Sequence, residues 1–286
     1  MPELPEVETV ARGVDERVRG DVIVGVSFSH HPQPFKTPAA LQRSKLMGQT
    51  LLAVHRTGKH IVCELSMSST KDGGSGAGAS ELVPKAQWIV HLGMTGRLVV
   101  TTPEAEVALH THARLQLASG REIRFVDPRR FGRLEWRDLA RTIPFAAAGA
   151  EPLTIGAKEF AALFHGRKLA IKAALLNQSL LTGVGNIYAD ECLFHAGIRP
   201  RRAAGRLTQA ELEKLRLALQ RVLRWAIDLG GSSVSDYVDA AGVKGFFQLE
   251  HCVYRREGQP CRQCQEPIRR ILLAGRGTHF CPKCQR

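Results

Sequence analysis

Thr50-Leu51-Leu52-Ala53-Val54-His55-Arg56-Thr57-Gly58-Lys59-His60-Ile61-Val62-Cys63-Glu64-Leu65 reads as two strands folded back on each other. Residues alternate around Thr57-Gly58-Lys59, the period-2 pattern of strands joined by a tight turn. Residues 22–29, 88–101 and 113–126 carry the same β-rich signal, the last split at Ser119-Gly120. Strands in this number close most naturally as a β-sandwich or barrel. The segment 68–81 is Gly/Ser-rich and is expected to be a flexible surface loop between strands.

A helix precedes the strands. Leu4, Val7, Val10, Val14 and Val18 recur at spacings of three and four, one apolar stripe at the helical period. Glu3, Glu6 and Glu8 crowd its first turns, where carboxylates favour the positive end of the helix dipole. From about residue 137 the period changes. Residues 158–165 and 168–181 read as helices, and another begins near Asn186 after Thr182-Gly183-Val184-Gly185. A long helix follows, with Thr208 and Glu211 as a capping-box pair and Leu212, Leu215, Leu219, Val222 and Leu223 as its apolar face. Gly230-Gly231 ends it. There are no internal repeats.

The chain has 286 residues, enough for two domains with cores of their own, and 44% are hydrophobic. No apolar run approaches the ~20 residues needed to span a bilayer, and no charged-then-apolar leader is present. The formal charge of +13 predicts a polyanionic partner, nucleic acid before anionic membrane. Seven cysteines, an odd number, suit a reducing cytoplasm. Cys63 and Cys192 read as small buried hydrophobes. Cys252 lies near the cysteine-rich end, with a spacing that fits no ligand pair.

The last 40 residues form a separate module. Cys261-x-x-Cys264 and Cys281-x-x-Cys284 are separated by 16 residues, a four-thiolate pattern that suits one structural zinc. Ile268–Leu273 and Thr278–Phe280 read as strands around Gly275-Arg276-Gly277, a hairpin with an arginine at its tip. From Arg255 to Arg286, Arg255, Arg256, Arg262, Arg269, Arg270, Arg276, Lys283 and Arg286 stand against Glu257 and Glu266 alone. A rigid basic hairpin of this kind is a phosphate or groove reader.

The start of the chain carries its own chemistry. A small residue after Met1 permits removal of the initiator, leaving Pro2 with a secondary amine. That amine condenses with a sugar carbonyl carbon to give an iminium, an electron sink. Glu3 stands beside it as a proton donor or acceptor. A plain Met-Pro start to a helix fits the same residues.

Five motifs decide between these readings: Pro2-Glu3-Leu4-Pro5-Glu6-Val7-Glu8-Thr9, His91-Leu92-Gly93-Met94-Thr95-Gly96, Asp127-Pro128-Arg129-Arg130-Phe131-Gly132, Gly183-Val184-Gly185-Asn186-Ile187-Tyr188-Ala189 and the terminal four cysteines. In this order, the chain resembles the bacterial formamidopyrimidine-DNA glycosylases over essentially its whole length. The resemblance implies an α+β fold: an N-terminal helix plus β-sandwich, a helix–two-turns–helix domain, and a C-terminal zinc β-hairpin. The domains expected are 1–136 (catalytic β-sandwich), 137–151 (linker), 152–245 (helical, with a lesion-capping loop) and 246–286 (zinc module). The activity implied is base-excision repair: removal of 8-oxoguanine and formamidopyrimidines from double-stranded DNA, then β,δ-elimination at the abasic site. The enzyme is expected to be a cytoplasmic, nucleoid-associated monomer.

The same resemblance implies the residue roles. Pro2 is the nucleophile, Glu3 the sugar-ring acid, Lys59 the β-elimination lysine and Arg276 the δ-elimination arginine. His91, His110, Arg129, Arg167, Lys172 and Asn186 are expected on DNA, with Asn186 capping a helix whose N–H groups bind a phosphate. Met94, Arg129 and Phe131 are expected to fill the space left by the flipped base. Ser232-Ser233 stand where threonines are usual in the family, Arg255 follows Tyr254 where glycine is usual, and 68–81 is longer than typical. The rival readings are an endonuclease VIII-like glycosylase for oxidised pyrimidines and a non-catalytic zinc DNA-binding relative. Leu4-Pro5 and the lesion-loop segment disfavour the first, and intact Pro2, Glu3 and Lys59 disfavour the second.

Overall fold

The computed structural model describes residues 1–32, 34–67, 83–234 and 237–286. The Gly/Ser-rich segment 68–81 lies outside the described residues. The chain forms two compact units. The first is Met1–Pro2, Glu6–Ala146 and Ser233–Gly245; the second is Glu3–Pro5, Ala147–Ser232 and Phe246–Arg286. The chain passes from one unit to the other between Pro2 and Glu3.

In the first unit the N-terminal helix α1 (Leu4–Val18) buries Val7, Val10, Val14 and Val18, as its stripe predicts. Two four-stranded antiparallel sheets follow. One has the order β1 (Ile23–Phe28), β6 (Thr111–Leu117), β7 (Glu122–Val126), β5 (Arg97–Thr101). The other runs β2 (Gln49–Thr57), β3 (His60–Met67), β4 (Ala86–His91), β8 (Arg133–Asp138). Leu51, Val54, Ile61 and Trp88 of one sheet share a core with Leu98, Leu115, Ile123 and Phe125 of the other. This is a sandwich, the two inner faces packed on each other. Tyr237 and Ala240 join the same core, so the segment 233–245, grouped by sequence with the helices, packs with the sheets.

Three elements differ from the sequence reading. The expected strand 88–101 is two strands in different sheets. It breaks at Gly93, whose φ of +62° belongs to the left-handed region open to glycine. Strand β8, Arg133-Leu134-Glu135-Trp136-Arg137-Asp138, is not among the expected strands: it buries only Leu134, so little apolar alternation marks it. The helix α2 (Ala39–Leu46) was missed too; it has no side-chain cap to announce it.

The second unit contains α3 (Ala157–Phe164), α4 (Ile171–Leu175), α5 (Asn186–Ala196), α6 (Gln209–Asp228) and the hairpin β9 (Arg269–Leu273), β10 (Arg276–Phe280). The capping box of α6 forms as expected: Glu211 N–H donates to Thr208 Oγ1 and Thr208 N–H to Glu211 Oε2. The expected helix 168–181 shrinks to 171–175. Asn177 Oδ1 takes Ser179 N–H, and Gln178 bonds Leu176 O, Val184 O and Gly183 N. These local side-chain bonds offer the backbone an alternative to continuing the helix. In the hairpin, Ala274 and Gly275 both have positive φ and form the two-residue turn. Arg276 is therefore the first residue of β10 and not the tip.

Candidate active site and nucleic-acid interface

In the first unit the expected site residues sit on turns at strand ends. Lys59 lies in the two-residue reversal between β2 and β3, where Thr57 pairs with His60. Arg56 steadies that reversal: its Nε donates to Glu8 Oε2 at 2.8 Å and its Nη1 to Gly58 O at 3.2 Å. Pro2 is buried, and its nitrogen is part of the Met1–Pro2 amide until Met1 is removed.

The 91–96 and 127–132 loops touch backbone to backbone. A Cβ on Gly93 would meet Gly132 N and Phe131 C at 2.5 Å. Asp127, fully buried, ties the two together. Its Oδ1 accepts Thr95 Oγ1–H at 2.6 Å and its Oδ2 accepts Gly132 N–H at 2.7 Å. The clamp presents Met94, 40% exposed, and Phe131, 50% exposed. The Arg129 guanidinium lies 4.9 Å from the Phe131 ring centroid, a cation–π contact. At that exposure neither Met94 nor Phe131 belongs to the core.

His91 stands at the end of β4. Burial, and then Lys59, push its imidazole down to about 4, and its Nδ1 accepts Gly93 N–H at 3.1 Å. It is neutral at physiological pH, so what it offers a phosphate is an N–H and not a charge. His110 is exposed with a φ of +67°. Arg124, buried, donates to the carbonyls of Thr102, Ala105 and Glu106 and so braces the loop that leads to His110.

In the second unit the Glu3 carboxylate occupies the start of α5. Its Oε1 accepts Ile187 N–H at 3.0 Å and its Oε2 accepts Tyr188 N–H at 3.4 Å. These are orphan donors of a helix N-terminus. The protein's own carboxylate therefore takes two of the N–H groups at the terminus where a phosphate is expected. The cap residue is Gly185, not Asn186. A Cβ at 185 would collide with the Glu3 carboxyl group, and one at 183 would press on Leu4 at 2.9 Å. The Gly-x-Gly spacing therefore makes room for Glu3 and Leu4. Gln178, unremarked in sequence, holds the loop through Gly183 N and Val184 O.

Asn186 instead donates from Nδ2 to Gly277 O at 3.0 Å, next to Arg276 on the hairpin. Arg276 itself is exposed, as is Arg167 in the turn after α3. Lys172, also expected on DNA, is engaged within the protein here. Its side chain is buried, ion-paired with Asp190 Oδ1 at 2.8 Å and bonded to Gly277 O at 3.0 Å and Thr278 Oγ1 at 2.8 Å. Two of these contacts are hydrogen bonds and the third is an ion pair, so the ammonium is held within the second unit. Asp190 also takes His279 N–H at 2.9 Å, so Lys172 and Asp190 moor the hairpin to α4 and α5.

The four cysteines of the terminal module converge, their Sγ atoms all within 4.8 Å of one another. Cys261 and Cys284 approach to 3.9 Å, and Cys264 and Cys281 to 3.5 Å. Backbone N–H groups of Gln263 and Cys284 point at Cys261 and Cys281 sulfur, the solvation a thiolate needs. The donor set fits a structural zinc, with every coordination position filled by protein. Cys63 and Cys192 are buried, as expected of small hydrophobes, and burial raises both thiols. Among the described residues, no helix is long and apolar enough to cross a membrane.

Comparison with known proteins matches three family models in chain order. They are the formamidopyrimidine-DNA glycosylase N-terminal domain over residues 1–134, the formamidopyrimidine-DNA glycosylase H2TH domain over 149–238, and a zinc finger found in FPG and IleRS over 258–286. The formamidopyrimidine-DNA glycosylase of Solibacter usitatus is 42% identical over 287 residues, covering 100% of both chains. That of Synechococcus is 39% identical over 300 residues, covering 100% of this chain and 99% of the relative. A Lactococcus lactis FPG mutant in complex with Fapy-dG-containing DNA superposes with a TM-score of 0.86, at 32% identity and 100% coverage of both chains. The Lactococcus lactis enzyme on abasic-site DNA gives 0.85, at 32% identity and 99% coverage of both. With its domain order, its four-cysteine hairpin and its full-length identity to these relatives, the chain belongs to the formamidopyrimidine-DNA glycosylase family.

Proposed function

We propose that the chain is a bifunctional DNA glycosylase of base-excision repair. It removes 8-oxoguanine and formamidopyrimidines from duplex DNA and cuts the abasic strand by β,δ-elimination. The observation that carries the reading is the seating of Glu3 on the N-terminus of α5, one residue after Pro2. A proton-transfer group held by two backbone N–H groups is pre-positioned.

With Met1 removed, the Pro2 nitrogen attacks deoxyribose C1′ and the bond to the base breaks. Glu3 protonates the ring oxygen, and the C1′–O4′ bond opens to an iminium. The iminium acidifies the C2′ proton, whose departure expels the 3′-phosphate. Lys59 assists this step, and Arg276 assists loss of the 5′-phosphate. Met94, Arg129 and Phe131 fill the vacated stack, while His91, His110 and Arg167 touch the backbone. Asn186, at the start of α5, and Lys172 reach phosphate in the same reading. The zinc, on Cys261, Cys264, Cys281 and Cys284, supplies rigidity alone. In this reading residues 1–136, joined by 233–245, are the catalytic domain, 152–232 the helical domain and 246–286 the zinc module, in a monomer working in the cytoplasm on nucleoid DNA.

The test is borohydride trapping on a duplex with one 8-oxoguanine opposite cytosine, with an intact-mass check for Met1 loss. A covalent adduct mapped to Pro2 is expected. A Lactococcus lactis relative has been crystallised on oxidised-pyrimidine-containing DNA, so a thymine glycol duplex runs alongside. Trapping on thymine glycol alone, or Pro2→Gly cutting as well as wild type, would overturn the reading.

A further inference from the structure

Glu191 and His195 lie four residues apart on α5, so their side chains leave one face of the helix. The chain entering the zinc module brings Cys252 onto that face. Glu191 is fully buried. Its Oε1 accepts Val253 N–H at 3.0 Å and Tyr254 N–H at 2.8 Å, and its Oε2 accepts Cys252 N–H at 2.9 Å. A carboxylate has about four acceptor positions, so one, on Oε2, is still to be used. Lys172 pairs with the neighbouring Asp190, leaving the Glu191 charge only backbone N–H groups to answer it.

The other two donors are close. Cys252 Sγ lies 3.9 Å from His195 Nε2, and one ligand atom from each of Glu191, His195 and Cys252 lies within 4.8 Å of the other two. Burial, and then Arg221, lower the His195 imidazole, so its lone pair is available near neutral pH. One sulfur, one imidazole nitrogen and one carboxylate oxygen are the donor types that zinc takes. None of the three belongs to the four-cysteine cluster. The Glu250 carbonyl oxygen lies 3.7 Å from Cys252 Sγ, and a fourth position stays open to it or to water.

We propose that Glu191, His195 and Cys252 form a second metal site, for a borderline-soft divalent cation with zinc first. Binding expels the thiol proton to solvent, so a thiolate and a carboxylate balance the two positive charges while the imidazole stays neutral. The site staples α5 to the segment that leads into the four-cysteine hairpin, a structural role outside the reaction.

The test is zinc content. Full-length protein is equilibrated with zinc chloride, desalted and measured by elemental analysis, beside Cys252→Ala and His195→Gln. Neither substitution removes a ligand of the four-cysteine cluster, though Cys252 packs in the same core as Cys261 and Cys281. About two zinc ions per chain in wild type and about one in each variant is the expected result. Cobalt-loaded wild type should also show more thiolate-to-metal charge-transfer absorbance than Cys252→Ala. One zinc in wild type, or two retained in either folded variant, would overturn the proposal and leave the cluster as a hydrogen bond between Cys252 and His195. His195 is only partly buried, so His195→Gln carries the test if Cys252→Ala fails to fold.

Discussion

The Glu3 carboxylate sits on the Ile187 N–H at 3.0 Å, with the Tyr188 N–H as its second donor. A group that sequence chemistry leaves ambiguous, helix-start acid or catalyst, is locked to a different helix 184 residues away. If Glu3 is the sugar-ring acid, Glu3→Gln keeps acceptor geometry and loses the proton. Single-turnover excision of 8-oxoguanine should fall about 100-fold or more, while cleavage of a preformed abasic site falls much less. Gly185→Ala, which drives a Cβ into the Glu3 carboxyl group, should give the same split with Glu3 intact. Equal losses on both substrates would refute the assignment.

Lys172 and Asp190 form a buried ion pair. Removing one partner strands the other charge. Lys172→Met should therefore cost about 3–5 kcal/mol in denaturant unfolding. Adding Asp190→Leu should recover part of the loss, and a mild Lys172→Met phenotype with unchanged midpoint would contradict the burial argument.

His60, His91 and His251 are each pushed down to about 4, mainly by burial. The unfolded chain protonates them near 6.5, so over this range it binds more protons than the fold. Stability is full above pH 6.5 and should fall as the pH drops towards 4. Carboxylates such as Glu211, held at about 2 chiefly by Arg202, contribute losses only below about 4.5. His251 accepts or donates a bond at Ser232 Oγ, 3.1 Å away. His251→Gln can keep that bond and should flatten the decline between pH 6.5 and 4.5, read from Tm against pH.

Arg255 has a φ of +57°, a left-handed conformation that costs a non-glycine residue about 1–2 kcal/mol. This is the position where the sequence departs from the family's glycine. Arg255→Gly should raise stability by about 1 kcal/mol. A lower unfolding midpoint would mean that the arginine's own contacts outweigh the strain.

DNA affinity should fall steeply with salt, the log–log slope reporting the phosphates neutralised. Arg167→Ala should lower the slope by about 1 on damaged and undamaged duplexes alike. Phe131→Ala should weaken binding mainly where a base has been flipped. Equal effects of Phe131→Ala on both duplexes would argue against the void-filling role.

Turns and short-range patterns were legible because their physics is local. The Gly58-Lys59 reversal, the α1 stripe, the Thr208–Glu211 capping box and the Cys-x-x-Cys pairs each depend on residues a few positions apart. Asp127 was quoted within a motif yet given no role. Its partners, Thr95 and Gly132, matter only once two loops meet. Lys172 reads as a phosphate ligand in sequence, where a lysine's charge is visible and its burial is not.

From the amino-acid order alone came the family, the sandwich-then-helices-then-hairpin progression, the four thiolates and the basic character. The family rests on the resemblance of five motifs in order, and the others on periodicity, spacing or composition. Tertiary structure alone decided that Glu3 caps the start of α5, that Lys172 pairs with Asp190 beneath the hairpin, and that Met94 and Phe131 stand exposed on a clamp built by Asp127. The physical reason is the same in each case. A buried polar group must find its partner, and that partner is set by which distant segments the hydrophobic cores bring together.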